Sequence, residues 1–301
     1  MISTDRILGF YISSNRDLLN RAIDEINNII ECFSDINYQL LRIGKFHIIL
    51  WGVGSLNKFI INNHNGYTIF LGLRTEKEFD AGRLEGRYLV LTINKNNIEI
   101  ISDWLGSIPV YYICNHKLIA VSSIESVLIA SLKIEKNDIS DYGIFQLLYL
   151  SYFVADNTLY KNIFRIPPDT KITLSINKIN KKYLGSVVPS SIRYSKPLKI
   201  LSQELYDLSV SVISKFVSKY DQWILPLSSG FDSRLIGAIG SKKAKIHAFT
   251  YGPSNCNEVI FAQQIANALN IPWQNIDLGH QYITKYLINW TSIFGTTLHF
   301  H

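Results

Sequence analysis

Short apolar runs recur along the first part of this chain, and short runs of this kind are typical of β-strands. The predicted strands are 7–12, 38–43, 46–51, 67–73, 88–93, 98–102, 110–114 and 118–121. Residues 16–32 differ, because their apolar positions recur at helical spacing, which predicts an amphipathic helix. Several short strands with few helices predict an α+β layered sandwich over residues 1–184.

A different pattern begins near residue 223, where apolar runs alternate with stretches of helical periodicity. Strands are predicted at 223–227, 245–251 and 274–278, and the helices between them at 232–240 and along the stripe Ala262, Ile265, Ala266 and Leu269. The order strand–helix–strand–helix–strand predicts a parallel, doubly wound α/β sheet. Ligands of such sheets bind at the carboxyl ends of the strands.

The two patterns are separated by a stretch without either. Residues 185–197 are small, polar and marked by prolines, so we predict a linker between a domain at 1–184 and a second domain at 198–301. The most apolar run, 144–155, is too short to span a bilayer and predicts a buried helix.

Composition narrows the function classes. Hydrophobic residues make up 47% and charged residues 18%, as in a folded protein. The net charge is +6, but the lysines at 178–182 and 242–245 form only small groups, predicted as a hairpin tip and a solvated helix end, so no nucleic-acid partner is expected. The 3 cysteines lack metal or disulfide spacing. With no secretory signal pattern at the start, we expect a cytoplasmic protein without a membrane partner.

The candidate chemistry lies in the turn after the first strand of the second domain, which contains Ser228, Ser229, Gly230, Asp232 and Ser233. A strand that turns tightly into a helix points backbone N–H groups at one spot, where the helix dipole favours an anion such as phosphate. A carboxylate there is suited to a divalent cation, so Asp232 is the candidate metal ligand. The alternative is structural, with Asp232 as an N-cap or first-turn acid and the serines as local caps.

The segment Ser228-Ser229-Gly230-Phe231-Asp232-Ser233 resembles the Ser-Gly-Gly-x-Asp-Ser phosphate loop of the N-type ATP pyrophosphatases (PP-loop), with Ser229 in place of the first glycine. The resemblance implies that ATP and Mg²⁺ bind here. It also implies that Thr250 and Tyr251, at the end of the next strand, lie near the adenine. Glu258 either forms a capping box with Asn255 or has a metal or catalytic role.

Motifs in the first domain follow the order of the asparagine synthetase-like family. Residues 85–88, the Asp-x-x-Gly-x-x-Pro-x-Tyr-Tyr segment at 103–112, and residues 120–128 and 160–169 resemble that family's class II glutamine amidotransferase-type domain. The family's glutaminase uses an N-terminal cysteine that attacks the amide. Because Ile2 follows Met1 here, we predict a degenerate domain without glutaminase activity.

This resemblance implies an asparagine synthase-like, ATP-dependent ligase. Such an enzyme adenylates a small-molecule carboxylate, and ammonia or an amine then displaces AMP to form an amide. Family members continue beyond the position of His301, which implies a C-terminally truncated domain and a partner chain that supplies the missing half. Two alternatives stay open: a non-catalytic remnant that binds a nucleotide or a protein, and a related amide ligase that acts on a sugar or peptide.

Overall fold

The computed structural model describes residues 6–31, 33, 35–74, 86–185 and 196–295. These residues divide into two compact units. The N-terminal unit falls within Ser3–Val188 and Ile288–His301, and the C-terminal unit falls within Pro189–Leu287. Predictions that concern the chain start with Ile2, Cys32, Glu85, most of the 185–197 linker, and the last residues lie outside the described residues.

Two six-stranded antiparallel sheets form the N-terminal unit. Its strands are β1 (Arg6–Ser13), β2 (Ile36–Ile43), β3 (Phe46–Val53), β4 (Ile60–Asn63), β5 (Gly66–Arg74), β6 (Gly86–Asn94), β7 (Asn97–Ser102), β8 (Tyr111–Cys114), β9 (Ile119–Ser122), β10 (Phe164–Arg165), β11 (Thr170–Ser175) and β12 (Lys178–Tyr183), and its helices include α1 (Leu19–Ile30), α2 (Glu125–Leu132) and α3 (Asp141–Leu150). The first sheet has the order β10-β8-β9-β1-β3-β2, and the second has the order β12-β11-β7-β6-β5-β4.

The central strands of the first sheet are buried on both faces. In β1, Phe10 and Ile12 pack between the two sheets, while Tyr11 points to the opposite side. That opposite side is covered by α1 and α2, whose Ala22 and Val127 share a second core with Tyr11. Because side chains alternate across a strand, one strand can serve two cores. The unit is therefore a helix layer on a two-sheet sandwich, which confirms the predicted mixed fold with antiparallel sheets.

The structure contains strands that the sequence analysis did not predict. Four strands were missed, namely β4, β10, β11 and β12. Lys178 follows the two-residue turn of the β11–β12 hairpin and pairs with Ser175, in line with the predicted hairpin tip, whereas Lys181 and Lys182 lie further along β12. β12 is an edge strand that is exposed at all its residues, and lysines on an edge discourage pairing with another strand.

Asp103 organises the turn that follows β7, within the sequence motif at 103–112. Its buried carboxylate accepts hydrogen bonds from the Tyr88 N–H at 3.0 Å, the Leu105 N–H at 2.9 Å and the Ser107 N–H at 3.1 Å. Gly106 has a φ of +60°, which favours glycine. The motif therefore has a local structural role in fixing a turn against β6.

Helix α3 contradicts the prediction of a buried helix at 144–155. Gly143 and Gln146 are buried, but Leu148 is 73% exposed and Tyr149 is 75% exposed. Apolar composition alone predicted burial, whereas in the structure no other described element covers this face. Among the described helices, none is both long and apolar enough to cross a membrane.

A three-stranded parallel sheet forms the centre of the C-terminal unit. Its elements are α4 (Leu198–Val217), β13 (Gln222–Pro226), α5 (Phe231–Gly240), β14 (Lys245–Tyr251), α6 (Asn257–Leu269), β15 (Trp273–Ile276) and α7 (Tyr282–Phe294), the last of which extends beyond this unit. The described strands lie in chain order, β13-β14-β15, so each new strand is added on the same side of the previous one. The parallel βαβαβ order was predicted correctly, and the doubly wound arrangement stays a prediction, because the two crossovers of the described chain run in one direction across the sheet.

One face of this parallel sheet is covered and the other is open. Leu225 and Ile246 pack against α5 and α6, and glycines of α5 allow the close approach: a Cβ added at Gly240 would lie 2.8 Å from Ile246 Cδ1. On the opposite face, Ile224 is 76% exposed and Tyr251 is 60% exposed. Parallel sheets usually have both faces covered. The C-terminal unit therefore presents an incomplete layer.

Replacing Asp103 with alanine should destabilise the N-terminal unit strongly. The substitution leaves the buried Tyr88 N–H and the partly buried Leu105 and Ser107 N–H groups without this acceptor, so we expect the free energy of unfolding to fall by about 3–5 kcal/mol. Chemical denaturation followed by circular dichroism measures this change. The control Asp24→Ala, at an exposed position, should change it by less than about 0.5 kcal/mol. Equal effects of the two substitutions would show that the turn does not depend on Asp103.

Candidate anion-binding site

The carboxyl ends of the three parallel strands are tied together by backbone hydrogen bonds. The Leu227 N–H donates to the Phe249 carbonyl at 2.8 Å, and the Gly252 N–H donates to the Ile276 carbonyl at 3.0 Å. The turn that follows β13 therefore begins at a fixed position, anchored on the end of β14. This edge is where ligands of open α/β sheets bind.

Thr250 strengthens that anchor. Its hydroxyl donates to the Leu227 carbonyl at 2.6 Å and accepts from the Trp273 indole N–H at 2.9 Å. Thr250 is buried, so its hydroxyl is committed to the sheet edge and the side chain supports the turn from below. The neighbouring Tyr251 is exposed on the open face. A position of either residue beside an adenine stays a prediction.

The serines of the turn bind one another. The Ser228 N–H donates to Ser233 Oγ at 3.0 Å, and the two hydroxyls lie 2.8 Å apart. The Gly230 N–H donates to Ser228 Oγ at 3.1 Å. These bonds wrap the turn around the start of α5, with Gly230 as its N-cap. The structural alternative for Ser228 and Ser233, local capping of the turn, therefore describes their contacts in this form of the protein.

Glu258 reaches the turn from α6. Its carboxylate accepts from the Ser229 N–H at 3.1 Å and also from the Ser229 hydroxyl. The N-cap of α6 is Cys256 and has no side-chain cap, so the predicted capping box of Asn255 and Glu258 is wrong. Arg234 donates from Nη2 to the Ser229 carbonyl at 2.9 Å. Two charged side chains thus hold Ser229: Glu258 binds its N–H and hydroxyl, and Arg234 binds its carbonyl.

Ser229 does not strain the backbone. It is absent from the residues with positive φ, and Gly230 itself has a φ of −71°. A serine in place of the first glycine is therefore tolerated at this turn. Its hydroxyl provides the second donor to Glu258, which a glycine would lack.

Three turn amides, those of residues 228–230, donate to side chains of the protein itself. An incoming anion has to replace the Ser228, Ser233 and Glu258 oxygens as acceptors. The N-terminus of α5 adds positive electrostatic potential at this site. No side chain caps it within the described chain, and the positive end of the helix dipole lies there. The site is chemically suited to an anion that competes successfully with a carboxylate.

Asp232, the candidate metal ligand, lies exposed in the first turn of α5. The described residues contain no group of three or more histidine, cysteine or acidic side chains that could hold a metal ion. A cation at Asp232 would need most of its ligands from a phosphate and water, as Mg²⁺ often has. The lysines at 242–245 follow the other end of α5, so they lie at the opposite edge of the sheet from the turn.

Comparison with known proteins places few limits on this chain. No protein-family model matches it, and no curated protein matches it. Among solved structures, glutamine phosphoribosylpyrophosphate amidotransferase from B. subtilis, complexed with ADP and GMP, is similar at a TM-score of 0.38 and 10% identity, over 89% of this chain and 65% of that one. An allosteric regulatory enzyme of purine biosynthesis gives 0.38 and 9%, over 89% of this chain and 64% of that one. Such values are too low to assign a fold or an activity.

The sequence revealed the turn but not all of its contacts. Glu258 and Arg234 bind Ser229, and neither contact has a local sequence signal. Trp273 does carry a sequence signal, because a tryptophan in a parallel strand needs a partner for its indole N–H. The buried Thr250 hydroxyl on β14 provides that partner.

Replacing Thr250 with valine should loosen the sheet edge. The substitution leaves the Trp273 N–H and the Leu227 carbonyl without this partner, so we expect the free energy of unfolding of the C-terminal unit to fall by about 1–3 kcal/mol. Denaturation monitored by tryptophan fluorescence gives the value. Thr250→Ser keeps the hydroxyl and should lose less than half as much. If serine and valine were equally destabilising, the methyl group and not the hydroxyl would be the anchor.

Proposed function

We propose that this chain is the nucleotide-binding part of an ATP-dependent carbon–nitrogen ligase of the asparagine synthase-like kind. The observation that carries the proposal is the arrangement at the carboxyl end of β13. There, a serine-rich turn leads into the uncapped N-terminus of α5, with Asp232 in the first turn. This combination of small residues, helix dipole and adjacent carboxylate suits the polyphosphate of a nucleotide.

The role of the turn in this proposal is electrostatic. The hydroxyls of Ser228, Ser229 and Ser233 and the amide of Gly230 exchange their present partners for phosphate oxygens. These donors stabilise the charge that develops on the departing pyrophosphate when a carboxylate attacks the α-phosphorus. Because Leu227 is anchored on β14, the donors are positioned before the nucleotide arrives.

Mg²⁺ is the proposed cation, and Asp232 is its proposed ligand. The exposed carboxylate lies one turn from the amides that would hold the phosphate, which fits a metal bound by one protein side chain and the substrate. When bound, the ion supplies Lewis-acid stabilisation of phosphate charge.

The nucleophile in this proposal is ammonia or an amine on another molecule. The two free cysteines of the described chain are Cys114 and Cys256. Burial raises the pKa of the Cys114 thiol, which also donates to the Ser175 carbonyl at 3.3 Å. A protonated, hydrogen-bonded thiol is a poor nucleophile. Cys114 is therefore unsuited to act as the nucleophile of a glutaminase.

A partner chain is part of the proposal. The sheet face that carries Ile224 and Tyr251 is open, and a parallel sheet of an active ligase needs a layer there. We infer that a second polypeptide covers this face and supplies the groups that bind the small-molecule carboxylate.

One observation favours a second candidate, a non-catalytic nucleotide-binding protein. Glu258 occupies the donors of Ser229, so the turn as it stands is satisfied without a phosphate. A nucleotide that binds through the other donors while Ser229 stays on Glu258 would be held without this stabilisation of the departing pyrophosphate, and so without catalysis. Measurement of turnover separates this candidate from the ligase.

The ligase proposal predicts ATP–pyrophosphate exchange that depends on a carboxylic acid. With radiolabelled pyrophosphate, Mg-ATP and a panel of amino and keto acids, at least one acid should support exchange. Asp232→Asn should lower Mg-ATP affinity about tenfold, because it removes the metal ligand but leaves the amides.

The matched control is Asp207→Asn on α4, which should bind like the parent protein. Binding without exchange would favour the non-catalytic candidate. If neither exchange nor a rise in melting temperature with Mg-ATP is observed, both candidates are rejected.

Glu258→Gln should alter the metal dependence of binding. The Glu258 charge competes with phosphate for Ser229, so neutralising it should tighten binding of metal-free pyrophosphate about tenfold, equivalent to about 1.4 kcal/mol. Isothermal titration calorimetry with and without Mg²⁺ measures the change. Glu204→Gln, far from the turn in sequence and on α4, is the charge-matched control. Weaker binding by the Glu258 variant would instead identify this carboxylate as a ligand of the metal or as a structural support of the turn.

A further inference from the structure

The exposed face of α3 forms an extended apolar surface of the N-terminal unit. Between Tyr142 and Ala155 the sequence contains no charged residue. Eight apolar side chains of this segment are substantially exposed, namely Tyr142, Ile144, Phe145, Leu148, Tyr149, Leu150, Tyr152 and Val154. Contiguous apolar surfaces of this kind usually mark a contact with another molecule.

The α3 surface, defined by those eight residues, carries a row of stacked rings on a helix that is closely packed on its other side. The ring centroids of Tyr142 and Phe145 lie 6.4 Å apart, and those of Phe145 and Tyr149 lie 4.8 Å apart, in one stacked row. The opposite side of the helix is fixed, because a Cβ added at Gly143 would lie 2.7 Å from the Thr158 carbonyl oxygen. Gln146 also accepts from the Val154 N–H at 3.2 Å. Little entropy is therefore lost when the surface is covered.

We propose that the α3 surface binds the same surface of a second copy of this chain, which gives a two-fold symmetric dimer. A surface that carries a row of rings along one helix is self-complementary when a second helix lies antiparallel to it, since the rows then interleave and the helix dipoles oppose.

The area is sufficient for this contact. The five largest side chains at the centre of the surface are about half to three-quarters exposed, and a fully buried aromatic ring contributes about 150–250 Å². Covering them removes roughly 600 Å² from each copy. Two copies together bury roughly 1,200 Å², which reaches the lower limit of specific, stable interfaces.

Charge favours a second copy over a lipid surface. The net charge of +6 opposes the association of two copies, but the α3 surface contains no charged residue, so no like charges meet at the contact itself. Helices that lie in a membrane interface usually carry lysine or arginine on their polar face. From Asp141 to Leu150 there is none.

The test is the oligomeric state of the full chain by sedimentation velocity across a range of concentrations. The parent protein should dimerise, and Leu148→Glu should weaken the dimer by about tenfold or more, because it places a charge at the centre of the contact. Leu105→Glu introduces the same charge at another exposed leucine of this unit and should leave the dimer intact. Circular dichroism establishes that each variant is folded.

A mixture of variants tests the symmetry. Leu148→Glu and Leu148→Lys should each be monomeric, and their mixture should recover a heterodimer, because the same residue meets itself across a two-fold axis. A parent protein that stays monomeric at every concentration overturns the proposal, as does a dimer that Leu148→Glu does not weaken. A monomer that cosediments with vesicles of phosphatidylcholine and phosphatidylglycerol also overturns it and identifies a lipid-binding surface.

Discussion

The requirement that every apolar sheet face be covered explains both units of this protein. In the first sheet, β1 and β3 direct alternate side chains into two cores, and each core has a layer to close it. The three-stranded parallel sheet meets the requirement on one side only, where α5 and α6 pack on Leu225 and Ile246. Burial of apolar area is the main favourable term in folding, so the open side is where this chain still has free energy to gain.

The turn after β13 depends on the covered side of that sheet. Thr250 is buried there, and its hydroxyl links the turn to β15 through Trp273. The same turn is joined to α6 by the Ser229–Glu258 contact. A candidate binding site that is tied to all three strands and to the next helix responds to any change in their packing. Binding at this turn therefore depends on the stability of the sheet and helices that support it.

Many of the strands followed from short apolar runs, because a strand that is buried on one or both faces carries apolar side chains. The predicted strands that became β1, β3, β6 and β7 all have at least one buried face. The missed strand β12 is exposed throughout, so it lacks that signal. Composition identified α3 as apolar but cannot tell whether a neighbour covers it. The Glu258 contact spans 29 residues, and such a pairing depends on the arrangement of the sheet and not on local sequence.

The lysines of β12 have a consequence for misfolding. Growth of cross-β fibrils requires a strand edge that accepts another strand, and adjacent ammonium groups repel each other when identical copies stack. The far edge of the first sheet has no such protection, since β2 exposes Tyr38 and Leu40 and carries few charges. Under partial denaturation, β2 should therefore accept another strand more readily than β12.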